Sequence, residues 1–210
     1  LADSLEIPPK DKPEFIKIAR GEMLLEKLNV ADSIPAISSL LSPQAQPLQA
    51  NLPSPSTPFV GRQAELSAIE QLLRDPQCRL LTIAGLGGMG KTRLAIEAAS
   101  KNQSAFPQGV YFVQLSTLQA SERIVPAIAD VLGFTLSNKP DPKLQLFNHL
   151  RDKRLLLVLD NFEHLLDGVE LLADILQSAA QVKLLVTTRD RLNLQGEWVL
   201  EVQGLQVPDS

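Results

Sequence analysis

Among 210 residues the chain has one cysteine, one tryptophan and one tyrosine, and its 20 Lys and Arg do not offset its 24 Asp and Glu. It also lacks any apolar run approaching the roughly 18 residues that a membrane-spanning helix needs. Each shortage excludes something. A lone Cys78 cannot build a disulfide framework, so nothing points to an oxidising compartment, and Cys78 is expected in or near the core. The opening LADSLEIPPKDK has no charged segment followed by an apolar one, as a secretory leader would. The expected location is cytoplasmic, without a membrane partner. A formal charge of −4 argues against a broad basic face, so DNA would be reached only locally or through a module outside this chain. No internal repeat is visible.

What is present is enough apolar content, 44%, for one sizeable domain plus an appendage. Residues 1–30 have a helical pattern, with Phe15, Ile18, Ala19, Leu24, Leu25 and Leu28 at helical spacings. Residues 31–57 form a linker rich in Pro, Ser and Gln, since six of the chain's fifteen prolines fall between Ile34 and Pro58. Residues 58–210 form the organised domain. There, strands expected at 80–84, 110–115, 155–159, 183–187 and 198–202 alternate with helices from Lys91 and over 121–132, 143–152 and 164–179. Continuously apolar strands between amphipathic helices predict a three-layer α/β fold, a parallel sheet of about five strands with helices on both faces. The chain opens at Leu1 and stops just after a strand, which suggests a piece of a longer protein.

The densest local signal is Gly85-Leu86-Gly87-Gly88-Met89-Gly90-Lys91-Thr92, which fits G-x-x-x-x-G-K-[ST] between a strand and a helix. Glycines let successive amides turn inward toward phosphate oxygens, and the following helix adds its positive end. Lys91 is placed for the β and γ phosphates, Thr92 for magnesium, and Arg93 completes the nucleotide-contacting segment. The same glycines also read as G-x-G-x-x-G, but a dinucleotide site leaves the Lys-Thr pair unexplained.

Magnesium needs a second ligand from the end of a neighbouring buried strand. Asp160, after the apolar run LLLVL, supplies it, the alternative being a cap on the next helix. In KLLVTTRDRL, Thr187, Thr188 and Arg189 end another strand on the same rim. Arg189 is either a fork for the terminal phosphate or a solvated charge. Asn138-Lys139-Pro140-Asp141 matches a guanine-reading signature, but it precedes Asp160 in a Pro-rich turn and reads as a loop, which favours adenine.

With these motifs in hand, residues 58–210 resemble the nucleotide-binding domain of STAND-class ATPases, the NB-ARC-like, P-loop branch of the AAA+ superfamily. The resemblance rests on TPFVGRQAEL, GLGGMGKTRLA, LLLVLDNFEHL, LLVTTRD and GEWVLEVQGL in that order. It implies ATP or ADP with Mg2+ as ligands, adenine contact by Val60, Gly61 and Arg62, a lid over the base from Phe59 to Glu65, and a γ-phosphate sensor at Arg189. Residues 1–30 look like the tail of a helix-turn-helix module, or equally an ordinary helix.

Two departures bear on catalysis. Many relatives carry a second acid after the magnesium aspartate, and here that residue is Asn161, which cannot accept a proton. Glu163 is either a substitute base or an acid favouring the start of the next helix. The chain also ends before the segments that, in the family, close over the nucleotide, and neither His149 nor His164 matches their phosphate-contacting histidine. His149 reads as a surface helix residue and His164 as a helix-start residue. Three functions follow: a slow nucleotide switch in a signalling or transcriptional regulator, a turnover ATPase or kinase, and a DNA-binding regulator with an accessory ATPase domain. Self-association is expected only in the longer protein.

Overall fold

The computed structural model describes residues 50–54, 56–139 and 141–204, all within one compact unit from Gln46 to Ser210. The helical segment expected over residues 1–30, and residues 31–49 of the linker, lie outside the described residues. Five parallel strands, β1 (Leu80–Ala84), β2 (Val110–Gln114), β3 (Leu156–Asp160), β4 (Lys183–Thr188) and β5 (Glu197–Glu201), form one sheet in the order β2-β3-β4-β1-β5. The helices are α1 (Gln63–Arg74), α2 (Lys91–Lys101), α3 (Ile124–Leu132), α4 (Pro142–Leu150) and α5 (Val169–Ser178).

The period of two along each strand sorts its residues between two cores. Leu157, Leu159, Leu184 and Val186 face one core with Ile124, Ile128, Leu146 and Ile175. Leu156, Val158 and Leu185 face the other with Leu66, Ile69, Leu94 and Ala98. Helices α3, α4 and α5 therefore cover one face and α1 and α2 the other, the three-layer α/β arrangement that the apolar runs predict. Each buried Leu or Ile contributes about 1.5–3 kcal/mol by leaving water. Cys78 belongs to the second core, at 1% exposure.

The structure departs from the sequence expectation at three helices; the one expected over 121–132 starts at Ile124, after a 3-10 turn over Ser121–Arg123. α1 is absent from the expected elements, although Leu66, Ile69 and Leu73 recur at spacings of three and four and all are buried. The helix expected from His164 starts only at Val169, after two 3-10 turns, Phe162–His164 and Leu166–Gly168. Packing explains this delay. A Cβ at Gly168 would stand 2.7 Å from Ser121 Cβ, and Ser121 Oγ donates to Asp167 Oδ2 at 2.8 Å, so this turn is braced against the one opening α3.

The described end of the linker runs along the free edge of β2. Ala50 bridges Val110, Asn51 Nδ2 donates to the Phe112 carbonyl at 2.8 Å, and the Phe112 N–H donates back to Asn51 Oδ1 at 2.6 Å. A side-chain amide thus satisfies an edge that would otherwise pair with another chain. Asn138 and Lys139 lie in a bend, and Asp141 caps α4 by accepting from the Lys143 N–H at 2.7 Å, with Pro142 at the first helical position. Among the described residues no helix is long and apolar enough to cross a membrane.

Candidate functional site

The glycine loop leaves β1 at Ala84 and enters α2 at Lys91, on the carboxyl rim where ligands of parallel sheets bind. Gly88 and Gly90 take φ of 77° and 78°, the left-handed region that glycine enters without cost. A Cβ built on Gly87, Gly88 or Gly90 meets nothing within 4 Å. The first turn of α2 carries no acidic residue, so no side chain of its own turn competes for its free amides. Lys91, only 8% exposed, donates from Nζ to the carbonyls of Gly85 at 2.7 Å and Leu86 at 2.9 Å, strapping the loop.

Asp160 is 6% exposed at the end of β3. The expectation put it on a strand neighbouring that of the loop, but β4 lies between β3 and β1. Thr187, near the end of β4, closes the gap. Asp160 Oδ1 accepts from Thr92 Oγ1 at 2.7 Å and from Thr187 Oγ1 at 2.6 Å, while the Asn161 N–H donates to Thr187 Oγ1 at 2.9 Å. One hydrogen-bonded chain therefore joins the start of α2 to the tips of β3 and β4. Sequence reasoning placed Thr187 on the rim without this role; its signal was a hydroxyl directly after the apolar Leu184, Leu185 and Val186.

These groups fit an oxygen-bound cation and a phosphate. A threonine hydroxyl and a carboxylate side by side are the hard donors that Mg2+ takes from protein, usually with water and phosphate oxygens as its other ligands. Among the described residues no group of three or more His, Cys, Asp or Glu could hold a metal alone, so a cation here would need ligand oxygens as well. The open space over Gly87, Gly88 and Gly90 is room for an anion against the backbone.

Two clefts flank the loop. One, of about 510 Å³, brings Val60 and Arg62 together with Gly88, Met89, Gly90 and Arg93. Gly61 and Arg62 both have positive φ, 76° and 56°. Arg62 is held there by donating to the Gln203 carbonyl at 2.7 Å and to Glu65 at 3.2 Å, with its side chain 7% exposed. Its guanidinium thus clips the turn before α1 to the segment after β5, and Val60, 80% exposed, is the apolar surface offered to the cleft. Arg93 donates to the Thr57 carbonyl and ties α2 to the same turn. The other cleft, of about 580 Å³, joins Gly85, Leu86 and Met89 to Arg189 and Arg191.

Arg189 Nε donates to Glu163 Oε1 at 3.1 Å, while Glu163 Oε2 is buried with no hydrogen-bond partner among the described residues. The two residues whose roles were open in the sequence are thus each other's partners. Asn161 takes φ 68°, ψ 52°, a conformation Asn tolerates better than most residues. Its identity therefore suits the backbone turn that aims its N–H at Thr187.

The histidines and the cysteine serve the scaffold. The His149 ring stacks on Phe134 with centroids 4.1 Å apart, and its Nε2 accepts from Lys153 Nζ at 2.8 Å. Burial, and secondarily Lys153, hold His149 below the usual histidine range. His164 Nε2 donates to the carbonyls of Leu115 at 3.1 Å and Leu118 at 3.0 Å. Burial pushes the Cys78 thiol up to about 11, so it is not a nucleophile at neutral pH.

Residues 62–197 match the family described as NB-ARC domain. The protein Rv0894 of Mycobacterium tuberculosis is 34% identical over 152 residues, 72% of this chain and 38% of its own length. Regulatory protein AfsR of Streptomyces coelicolor is 29% identical over 179 residues, 77% of this chain and 17% of its own. A Signal Transduction ATPase with Numerous Domains protein with a tetratricopeptide repeat sensor, from Pyrococcus horikoshii, shares the fold with a TM-score of 0.54 at 22% identity, over 76% of this chain and 25% of that one. The chain thus spans well under half the length of each of these proteins.

Proposed function

The chain belongs to the NB-ARC domain family, and on that premise we propose that residues 58–210 are an adenine-nucleotide switch within a longer regulatory protein. ADP holds a resting state, exchange for ATP favours an open one, and slow magnesium-dependent hydrolysis resets the cycle. The observation that carries this reading is the Thr92–Asp160–Thr187 hydrogen-bonded chain beside a glycine loop with open space above it.

Each residue then has a task. The amides from Gly85 to Thr92 bind phosphate oxygens, and Lys91 neutralises the β and γ phosphates. Thr92 and Asp160 hold magnesium, which when bound withdraws charge from the phosphate oxygens. Val60, Gly61, Arg62 and Arg93 shape the cleft for the base. Arg189 senses the terminal phosphate and in doing so leaves Glu163. Asn161, directly after the magnesium aspartate, offers no base, so hydrolysis is slow.

A switch moving from 1:99 to 99:1 needs about 5.5 kcal/mol of differential affinity, toward which Arg189 and the cation contribute. Residues 1–30 are assigned to the tail of a helix-turn-helix module, DNA contact and self-association to segments outside residues 58–210, and the location to the cytoplasm. AfsR, a relative named as a regulatory protein, supports the regulatory setting.

The test is turnover together with discrimination. ATP hydrolysis is expected well under one per second, and a rate near the ~10 per second common among enzymes would reject the switch. Arg189→Ala should weaken a non-hydrolysable ATP analogue by about tenfold while leaving ADP unchanged. An equal effect on both nucleotides removes the sensor role.

A further inference from the structure

The amino ends of the strands carry a second concentration of charge, at the end of the sheet opposite the glycine loop. A cavity of about 550 Å³ opens there, lined by Arg74, Arg79, Arg154 and Lys183 together with Leu73 and Phe106. Arg79 precedes β1, Arg154 precedes β3 and Lys183 opens β4, and β3, β4 and β1 are consecutive in the sheet, so these three cations stand in a row. In a chain of net charge −4, no carboxylate lines this cavity among the described residues.

Arg79 and Lys183 are held in place by carbonyls rather than by carboxylates. Arg79 Nη2 donates to the carbonyls of Ala179 at 2.6 Å and Val182 at 3.3 Å, and its Nε is buried with no hydrogen-bond partner among the described residues. Lys183 Nζ donates to the Asp75 carbonyl. Arg154 is exposed, and its guanidinium has no partner among the described residues. Arg74 pairs with Glu70 at 3.7 Å, and the Asp75 carboxylate, which does not line the cavity, attracts Lys183. Lys183 is held below the usual lysine range, by burial first. Cys78 and Asp75 oppose that shift, and repulsion from Arg154 and Arg79 adds to it. Carbonyl dipoles orient a cation without cancelling its charge, so like charges remain crowded around one hollow.

We propose that this cavity binds a small molecule bearing a phosphate group on an apolar or aromatic body, the phosphate held by Arg79, Arg154 and Lys183 and the body lying against Leu73 and Phe106. Guanidinium forks match phosphate oxygens in pairs, and a dianionic phosphate offsets more of this charge than a single carboxylate. The volume falls within the ~300–1,000 Å³ of small-molecule sites. The site is independent of the nucleotide reading, because it lies at the opposite ends of the strands.

The experiment titrates phenyl phosphate, inorganic phosphate and benzoate separately into the whole chain in the presence of ADP and magnesium, following backbone amide shifts by NMR. Saturable shifts are expected at Arg79, Phe106, Arg154 and Lys183, at lower concentration for phenyl phosphate than for inorganic phosphate or benzoate. Arg154→Glu should weaken phenyl phosphate about tenfold or more, with an unchanged melting temperature, and Arg154→Lys should fall between. Shifts confined to Gly85–Thr92, the absence of saturable shifts, equal binding of benzoate, or an Arg154→Glu variant that binds as before would each overturn the proposal. Failure of ADP to bind leaves this readout intact, because the two sets of amides are separate.

Discussion

A Cβ added to Gly87, Gly88 or Gly90 meets no atom within 4 Å, whereas one added to Gly85 stands 2.5 Å from the Val202 carbonyl oxygen and one at Gly168 stands 2.7 Å from Ser121 Cβ. The first group borders open space on the rim. The second is glycine because neighbouring chain already occupies the space a side chain would take. Gly85 and Gly87 are two residues apart in one loop and indistinguishable by composition, yet one serves packing and the other serves whatever lies over the loop. The β5 segment packs onto Gly85, so the floor of the loop is rigid where its roof is open.

That contrast breaks most visibly at Gly85. Gly85→Ala pushes a methyl into a backbone carbonyl that cannot rotate away, and should cost about 1–3 kcal/mol of stability, a fall of roughly 2–12 °C in melting temperature by calorimetry. A melting temperature within a degree of the parent would show that the β5 segment gives way freely. Gly87→Ala should melt like the parent, since no atom stands near and its φ is not left-handed, yet bind adenine nucleotide about tenfold more weakly. Unchanged affinity would mean that the space above Gly87 is only solvent.

The smallest effect belongs to the half-buried His149 near the end of α4. Neutral His149 accepts from Lys153 and stacks on Phe134, and its folded pKa lies below the unfolded value of about 6.5. A depressed folded pKa means stability present above the unfolded pKa and lost as pH falls through the folded one. The urea midpoint of the parent should therefore fall with decreasing pH below about pH 6.5 relative to that of His149→Phe, which keeps the stack without the titration. Parallel pH profiles would count against this assignment.

The glycine loop, the strand runs and Asp160 were legible because each is a local pattern: apolar residues ending in one polar group, and glycine spacing between a strand and a helix. Strand order is not local, which is why the insertion of β4 between Asp160 and the loop, and with it the bridging role of Thr187, had to come from the structure. The Arg189–Glu163 pair joins residues 26 apart in sequence, and no spacing rule connects them. α1 was legible as well, since Leu66, Ile69 and Leu73 carry a helical period. The late start of α5 was not readable, because it depends on Gly168 meeting Ser121 across the fold.

The most direct measurement is titration calorimetry of ADP with magnesium against the whole chain and against Lys91→Ala, with folding of both verified by circular dichroism. Saturable one-to-one binding by the parent and at least tenfold weaker binding by the variant are expected, since one charge-assisted contact is worth about 1.5–3 kcal/mol. Folded parent protein that takes up neither ADP nor ATP, or a variant that binds as the parent does, would contradict the account.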